Sequence, residues 1–215
     1  MTQPTGSSMK QVAWRAARSL GRAVDQRVFP EGRSASDHWQ RAVMDSTVRR
    51  HLSSLGPPTR DAVEISGDSQ AALPWRSFES LNYPEFDLCT SSPPRQYDVV
   101  VCEQVLEHVV DPWAAARNLR ELCRLGGHVV VTTPFLIPVH ELPLYGMKDY
   151  WRFTPRGLRT LLEGAELEVT TVGSWGNRVA VWGNLDHWTA YRRWLPLGNR
   201  PTTPLQVWAF ARRPT

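Results

Sequence analysis

One α/β domain on a mostly parallel sheet is the fold class this sequence predicts, and three observations predict it. Tyr97-Asp98-Val99-Val100-Val101-Cys102-Glu103 is an apolar run that ends on a carboxylate. His128-Val129-Val130-Val131-Thr132-Thr133-Pro134-Phe135, introduced by Leu125-Gly126-Gly127, repeats that form. A helix-length segment, about 111–124, lies between the two. Strands apolar on both faces belong to parallel sheets covered by helices, and strand, helix, strand in that order is a βαβ unit. Open sheets of this kind bind ligands beyond the carboxyl ends of their strands, which sets Glu103 and Pro134-Phe135 at a pocket edge.

The elements follow in order. Residues 1–9 are small and polar and are expected to form a disordered tail. Over 10–29, Val12, Ala16, Leu20, Ala23, Val24 and Val28 recur at helical spacing, with Arg15, Arg18 and Arg22 on another face. Residues 30–36 interrupt the pattern, 37–55 are helical again, and Gly56-Pro57-Pro58 stops them. Residues 10–58 thus read as an N-terminal helical extension or lid, and 59–215 as the α/β domain. Within the latter, strands are expected at 61–66, 76–82, 97–102 and 128–133, with a stunted one at 86–89. Thr154 caps a helix with Pro155 at its first position. The last strands fall at 166–174 and 205–212, separated by a Trp-rich helix at 179–194.

The bulk properties narrow the class. A chain of 215 residues suits one domain with extensions. No apolar run approaches the roughly 20 residues of a membrane helix, and the first residues lack a signal peptide's pattern, so a cytoplasmic protein is expected. Cys89, Cys102 and Cys123 show no metal or CxxC spacing and read as reduced structural thiols. A formal charge of +4, with Lys10 and Lys148 the only lysines, points to no nucleic-acid partner, and no recognition motif adds to it. The oligomeric state stays open.

Asp98-Val99-Val100-Val101, Leu106-Glu107-His108-Val109, Asp111-Pro112-Trp113, Leu125-Gly126-Gly127 and Thr133-Pro134-Phe135 together resemble the second half of class I S-adenosylmethionine-dependent methyltransferases. The resemblance covers about 60–172. His140-x-x-Pro143 and Asp149-Tyr150-Trp151-Arg152-Phe153-Thr154 resemble a methyltransferase type 11-like branch often associated with polysaccharide or small-molecule biosynthesis. It implies a Rossmann-like sheet of seven strands, mostly parallel with an antiparallel last strand and helices on both faces. S-adenosyl-L-methionine is the implied cofactor and a small molecule the implied acceptor.

Transferred residue by residue, the resemblance gives a cofactor half and an acceptor half. The family's Glu-x-Gly-x-Gly-x-Gly stands here as Glu64-Ile65-Ser66-Gly67-Asp68-Ser69-Gln70, with one glycine left. A non-glycine residue is restricted at positive φ, so a remodelled turn and a shortened helix are expected after the first strand. Glu64, Ser66 and Gly67 are the loop candidates. Asn82 falls near the usual ribose acid, Asp87 is a second candidate there or beside the adenine, and Glu103 suits a cationic sulfonium. His108 reads as structural. On the acceptor side, His140 is the only histidine in a long loop and fits general-base work near neutrality. Asp149 and Arg152 can pair or bind a polar acceptor, and Tyr150 and Trp151 offer aromatic faces to sugars or planar rings. Trp175 and Asn177 lie at a later strand's carboxyl end.

Two functions compete on this reading. One is methyl transfer to an oxygen or nitrogen of a small polar acceptor. The other, suggested by the lost glycines, is a catalytically silent methyltransferase fold that binds a metabolite or a protein. A nicotinamide-dependent oxidoreductase is disfavoured, since no GxGxxG follows a strand.

Overall fold

The structure, a computed structural model, describes residues 28–141 and 146–215. The tail expected at 1–9 and nearly all of the amphipathic helix expected at 10–29 lie outside the described residues. Six strands form one sheet: β1 (Asp61–Ile65), β2 (Ser77–Leu81), β3 (Tyr97–Glu103), β4 (Cys123–Pro134), β5 (Glu168–Trp175) and β6 (Gln206–Arg212). Their order is β2-β1-β3-β4-β6-β5. The first four run parallel, and β6 lies antiparallel to both β4 and β5.

The sheet is one strand short of the expectation, because residues 86–89 form turns. Their hydrogen bonds are consumed locally: the Phe86 amide donates to the Asn82 carbonyl at 2.8 Å, and the Cys89 amide to Asp87 Oδ1 at 2.8 Å. An Asp side chain that closes its own turn competes directly with a ladder.

Each strand sends alternate residues to opposite faces, and both faces are covered. Val63, Ile65, Val100, Cys102, Val129 and Val131 pack under α2 (Pro112–Leu122) and α3 (Pro155–Gly164). Ala62, Val99, Val101 and Val130 face the other way, under α1 (Ala42–Ser54) and a cluster containing Phe29, Trp39 and Trp175. In α1 the buried residues are Met44, Val48 and Leu52, four apart, so one stripe meets the sheet. Gly56 ends it at φ +73°, a conformation that glycine adopts without a Cβ penalty.

Local chemistry sets the helix ends. Asp111 accepts the Trp113 and Ala114 amides at 3.0 and 2.9 Å with Pro112 at the first position, and Thr154 Oγ1 accepts the Gly157 amide at 3.0 Å. Two extents differ from the pattern reading. β4 begins at Cys123, straight out of α2, because Cys123 pairs with Tyr97 across a register shift before the regular ladder starts at His128. The helix expected at 179–194 is only α4 (Arg178–Gly183). Asn184 closes it, donating to the Ala180 carbonyl at 2.8 Å and accepting the Thr189 amide at 3.1 Å. Thr189 and Ala190 then pair as isolated bridges with Glu31 and His38.

Candidate active site

The carboxyl ends of β1 and β3 turn through left-handed backbone at non-glycine residues. Ser66 has φ +52° and Gln104 φ +56°. Ser66 donates its amide to the Leu81 carbonyl and Gln104 its amide to the Thr132 carbonyl, so each turn is tied to the neighbouring strand end. Such residues cost on the order of 1–3 kcal/mol and cluster at ligand sites.

After Ser66 no helix forms; residues 67–76 make turns only, a larger remodelling than the shortened helix expected. Glu64 organises that loop. Its buried carboxylate accepts the Ser69 amide at 3.2 Å, the Ser69 hydroxyl at 2.6 Å and the Gln70 amide at 2.9 Å. A Cβ on Gly67 would stand 2.8 Å from Glu64 Oε1, so the surviving glycine is the one that lets the loop close over this carboxylate.

Glu103, at the end of β3, is buried and shared. Arg41, just before α1, donates to its Oε2 at 3.0 Å, and Gln70 Nε2 donates to its Oε1 at 2.7 Å. Burial pushes the Glu103 carboxyl up to about 7, despite the Arg41 charge that opposes the shift. Arg41 also reaches Asp45 at 3.1 Å. The carboxylate assigned to a sulfonium is thus already facing an internal cation.

Beside these strand ends opens a cavity of about 440 Å³, lined by Ser66, Asp87, Leu88, Val105, His108 and Tyr150 among others. Asp87 keeps its position at the rim through its turn with Cys89. Asn82 is placed differently: it accepts from Ser80 at 3.0 Å and lines an adjacent recess of about 560 Å³ that shares only Phe86 with the first.

Behind the cavity wall at His108 and Tyr150 stands a polar cluster, Glu107, His140, Asp149 and Arg152, that does not itself line the cavity. Glu107 is fully buried, and neither carboxylate oxygen has a hydrogen-bond partner among the described residues. Burial lifts its pKa to about 8, opposed by the nearby amide of its own backbone, which does not reach hydrogen-bond geometry, and by the Arg152 charge. His108 Nδ1 lies 2.7 Å from the Lys148 carbonyl, which fixes the ring with Nε2 directed 3.9 Å from Glu107 Oε1. His140 packs edge-on to His108 at 5.0 Å between ring centres and edge-on to Trp188 at 5.5 Å. Its Nδ1 is 3.2 Å from Asp149, whose carboxylate also accepts the His140 amide at 2.8 Å. Burial lowers the His140 pKa, against the attraction of Asp149.

Arg152 forks onto Asp149 and reaches the Pro138 carbonyl at 3.2 Å. Asp149 and Arg152 therefore hold the His140 loop in place, the pairing alternative of the sequence reading. Tyr150 is half exposed on the cavity wall, whereas Trp151 spends its indole N–H on the Val109 carbonyl at 2.9 Å and packs between Trp113 and Phe153.

Two candidates leave the site. Trp175 is 1% exposed, wedged against Trp39 with its N–H on the Leu197 carbonyl. Asn177 caps α4, accepting the Ala180 amide at 2.8 Å and donating to the Gly198 carbonyl at 2.9 Å. Both do the work of a tight turn and a helix start, which the strand-end position alone could not reveal. The sequence reading did not single out Arg41, Gln70 and Glu107. Glu107 carried a signal, a carboxylate four residues after Glu103 between Val105-Leu106 and Val109-Val110; Arg41 carried none.

Comparison with known proteins bears on the family and the fold. Residues 35–172 match the family model described as a methyltransferase domain. The ubiquinone biosynthesis O-methyltransferase of Aeromonas salmonicida (strain A449) is 37% identical over 68 residues, 31% of this chain and 29% of that protein. The protein of the same name from Aliivibrio fischeri (strain MJ11) is 45% identical over 65 residues, 30% of this chain and 28% of its own. The chain thus aligns with less than a third of these relatives' length. Among solved structures, an S-adenosylmethionine-dependent methyltransferase from Clostridium acetobutylicum ATCC 824 superposes with a TM-score of 0.55 at 6% identity, covering 93% of this chain and 100% of that one. The N-methyltransferase NodS from Bradyrhizobium japonicum WM9 in complex with S-adenosyl-L-homocysteine gives 0.54 at 14% identity, covering 92% and 98%. These two likenesses are ones of fold. With the family model spanning more than half of its residues, the chain belongs to the methyltransferase-domain family and has the class I methyltransferase fold.

Proposed function

We propose that this protein transfers the methyl group of S-adenosyl-L-methionine to an oxygen or nitrogen of a small polar acceptor, such as a sugar-related or natural-product intermediate. One observation carries the reading: the cavity at the carboxyl ends of β1 and β3 runs continuously from Ser66 and Asp87 to His108 and Tyr150. The first pair suits the nucleoside end of the cofactor and the second the acceptor, so both reactants meet in one desolvated space. The acceptor atom attacks the methyl carbon, the S–CH3 bond breaks, and S-adenosyl-L-homocysteine leaves. Holding the two in line supplies much of the rate. His140, held by Asp149, is the residue assigned to the proton that a hydroxyl or amine acceptor must lose. Three free cysteines fit a reducing compartment, and no helix among the described residues is long and apolar enough to cross a membrane.

A second reading has its own observation. Arg41 and Gln70 occupy the hydrogen-bonding capacity of Glu103, as a fold retained for binding without methyl transfer would allow. Calorimetry with S-adenosyl-L-homocysteine, followed by methyl transfer from labelled cofactor to a small-molecule extract, separates the two. Saturating ligand at about 100 times its dissociation constant should stabilise the fold by about 2.7 kcal/mol. No heat of binding and no thermal shift would remove the transferase reading.

A further inference from the structure

Glu107, His108 and His140 present one donor atom each, and these atoms lie within 4.8 Å of one another. We infer that the trio is a site for a single divalent transition cation, of which Zn2+ is the best match. The inference deepens the transferase reading, since it adds a cation beside the acceptor.

The argument starts from Glu107. A carboxyl group buried without a partner is costly, and its two oxygens have no hydrogen-bond partner among the described residues. Nothing about the packing demands a carboxylate there: the Glu107 carbonyl, which accepts the Tyr150 amide at 2.7 Å, would do so with any side chain. A ligand that takes the oxygens resolves the cost.

The two imidazoles complete the set. Two histidines with one carboxylate are borderline N/O donors, the kind that hold zinc with a position left open. His108 already has the arrangement of a prepared ligand, because its Nδ1 rests on the Lys148 carbonyl and leaves Nε2 toward Glu107. His140 is held differently: Asp149 accepts its backbone amide at 2.8 Å and stands 3.2 Å from Nδ1, which has no hydrogen-bond partner among the described residues. The positive charge nearby is occupied: Arg152 forks onto Asp149, and Arg41 onto Glu103 and Asp45. Donors on one tetrahedral zinc at about 2.0–2.2 Å stand about 3.3–3.6 Å apart, so the three atoms, within 4.8 Å of one another, draw in by about 1 Å to close on it.

His108, alone of the three, lines the 440 Å³ cavity, so a cation held by the trio would border the space given to the acceptor. The ligand class that follows is an acceptor with an oxygen able to reach the cation. A hydroxyl bound there would pass its proton to solvent more readily, and His140 would then serve as a ligand in place of the base role given to it above.

The test uses the full-length, untagged chain, stripped with a chelator and titrated with Zn2+, with Mn2+ and Mg2+ as comparisons. One equivalent of Zn2+ per chain should bind with a dissociation constant on the order of 10 μM or tighter, with Mg2+ far weaker. Glu107→Gln, which keeps the shape, and His108→Ala and His140→Ala should each weaken binding by about 100-fold or more. Absence of saturable Zn2+ binding, or affinity unchanged in all three variants, would overturn the cation site and leave the trio to proton transfer alone. Binding of S-adenosyl-L-homocysteine measured on the same preparation keeps the two readings apart. Zn2+ uptake without that binding would sink methyl transfer and keep the cation site; the reverse result would do the opposite.

Discussion

The two edges of the sheet use the same residue types to opposite ends. At the amino-terminal edge, Asp61 and Asp98 lie side by side on β1 and β3 within a cage of arginines. Arg76 donates to both oxygens of Asp61 at 2.8 and 2.6 Å, Ser77 adds a third bond, and Arg124 reaches Asp61 at 3.1 Å and Asp98 at 2.9 Å. The Arg76 and Ser77 hydrogen bonds hold the Asp61 carboxyl well below the usual range. Asp98 is also lowered, since the Asp61 amide and Arg124 outweigh its burial. At the carboxyl-terminal edge Glu103 is lifted to about 7 and Glu107 to about 8, both by burial. One edge satisfies its charges and contributes stability; the other buries two carboxyls with raised pKa, of which Glu103 is paired and Glu107 is not, a pattern that clusters at ligand sites.

The contrast can be broken at several points. The largest expected effect is at the front: His140→Ala should lower the single-turnover rate by about 10²-fold or more, roughly 3 kcal/mol of barrier, while cofactor affinity stays nearly constant. An unchanged rate would make His140 a loop fastener. At the rear, Asp61→Ala should cost about 2–3 kcal/mol in the urea-derived stability, because it strands several charged donors, yet leave turnover per folded molecule unchanged. A variant that lost activity without losing stability would erase the division of labour between the edges.

A pH series sharpens the comparison. Glu103 has a folded pKa raised above its unfolded value, so its contribution is complete below about 4.5 and is lost as pH rises through about 7. Asp61, lowered on folding, contributes above its unfolded pKa and loses that contribution as pH falls below it. Glu103→Gln should therefore flatten the decline between pH 5 and 7, on the order of 1–2 kcal/mol, and leave the acid limb in place. Identical slopes in variant and parent would show that Arg41 fully compensates the burial. The smallest effect belongs to Arg95. It is 38% exposed, pairs with Glu79 at 2.7 Å and lies 4.5 Å over the Tyr97 ring. Arg95→Ala should cost under about 1 kcal/mol in the same unfolding assay.

Most of the sheet was legible because continuous apolar runs, Gly-Gly and Thr-Pro signals are local. Val99 to Val101, the Thr154 cap and the antiparallel end of the sheet all follow from residues near in sequence or from the resemblance they carry. What escaped depends on distant partners. The stunted strand at 86–89 is apolar enough for a ladder, but Asp87 closes a turn first. The Trp-rich stretch has helical composition, yet Asn184 folds it back against residues about 150 positions earlier. In the site, His140, Asp149 and Tyr150 could be picked out as loop chemistry at a strand end. The pairing of Arg41 with Glu103, 62 residues apart, could not, and neither could the burial of Trp175, which rests on Trp39.

Gln206 Nε2 donates to Gln40 Oε1 at 3.1 Å across 166 residues of chain, and Trp208 and Phe210 of β6 share a cluster with Met44, Val48 and Leu52 of α1. During synthesis α1 leaves the ribosome long before β6, so its apolar stripe has an incomplete seat until nearly the whole domain has emerged. Contacts of such sequence separation slow folding, because their loop-closure entropy must be met before they form. Through most of that interval Met44, Val48 and Leu52 stay open to other apolar surfaces, so the soluble yield in rapid expression is expected to rise when a chaperone is co-expressed.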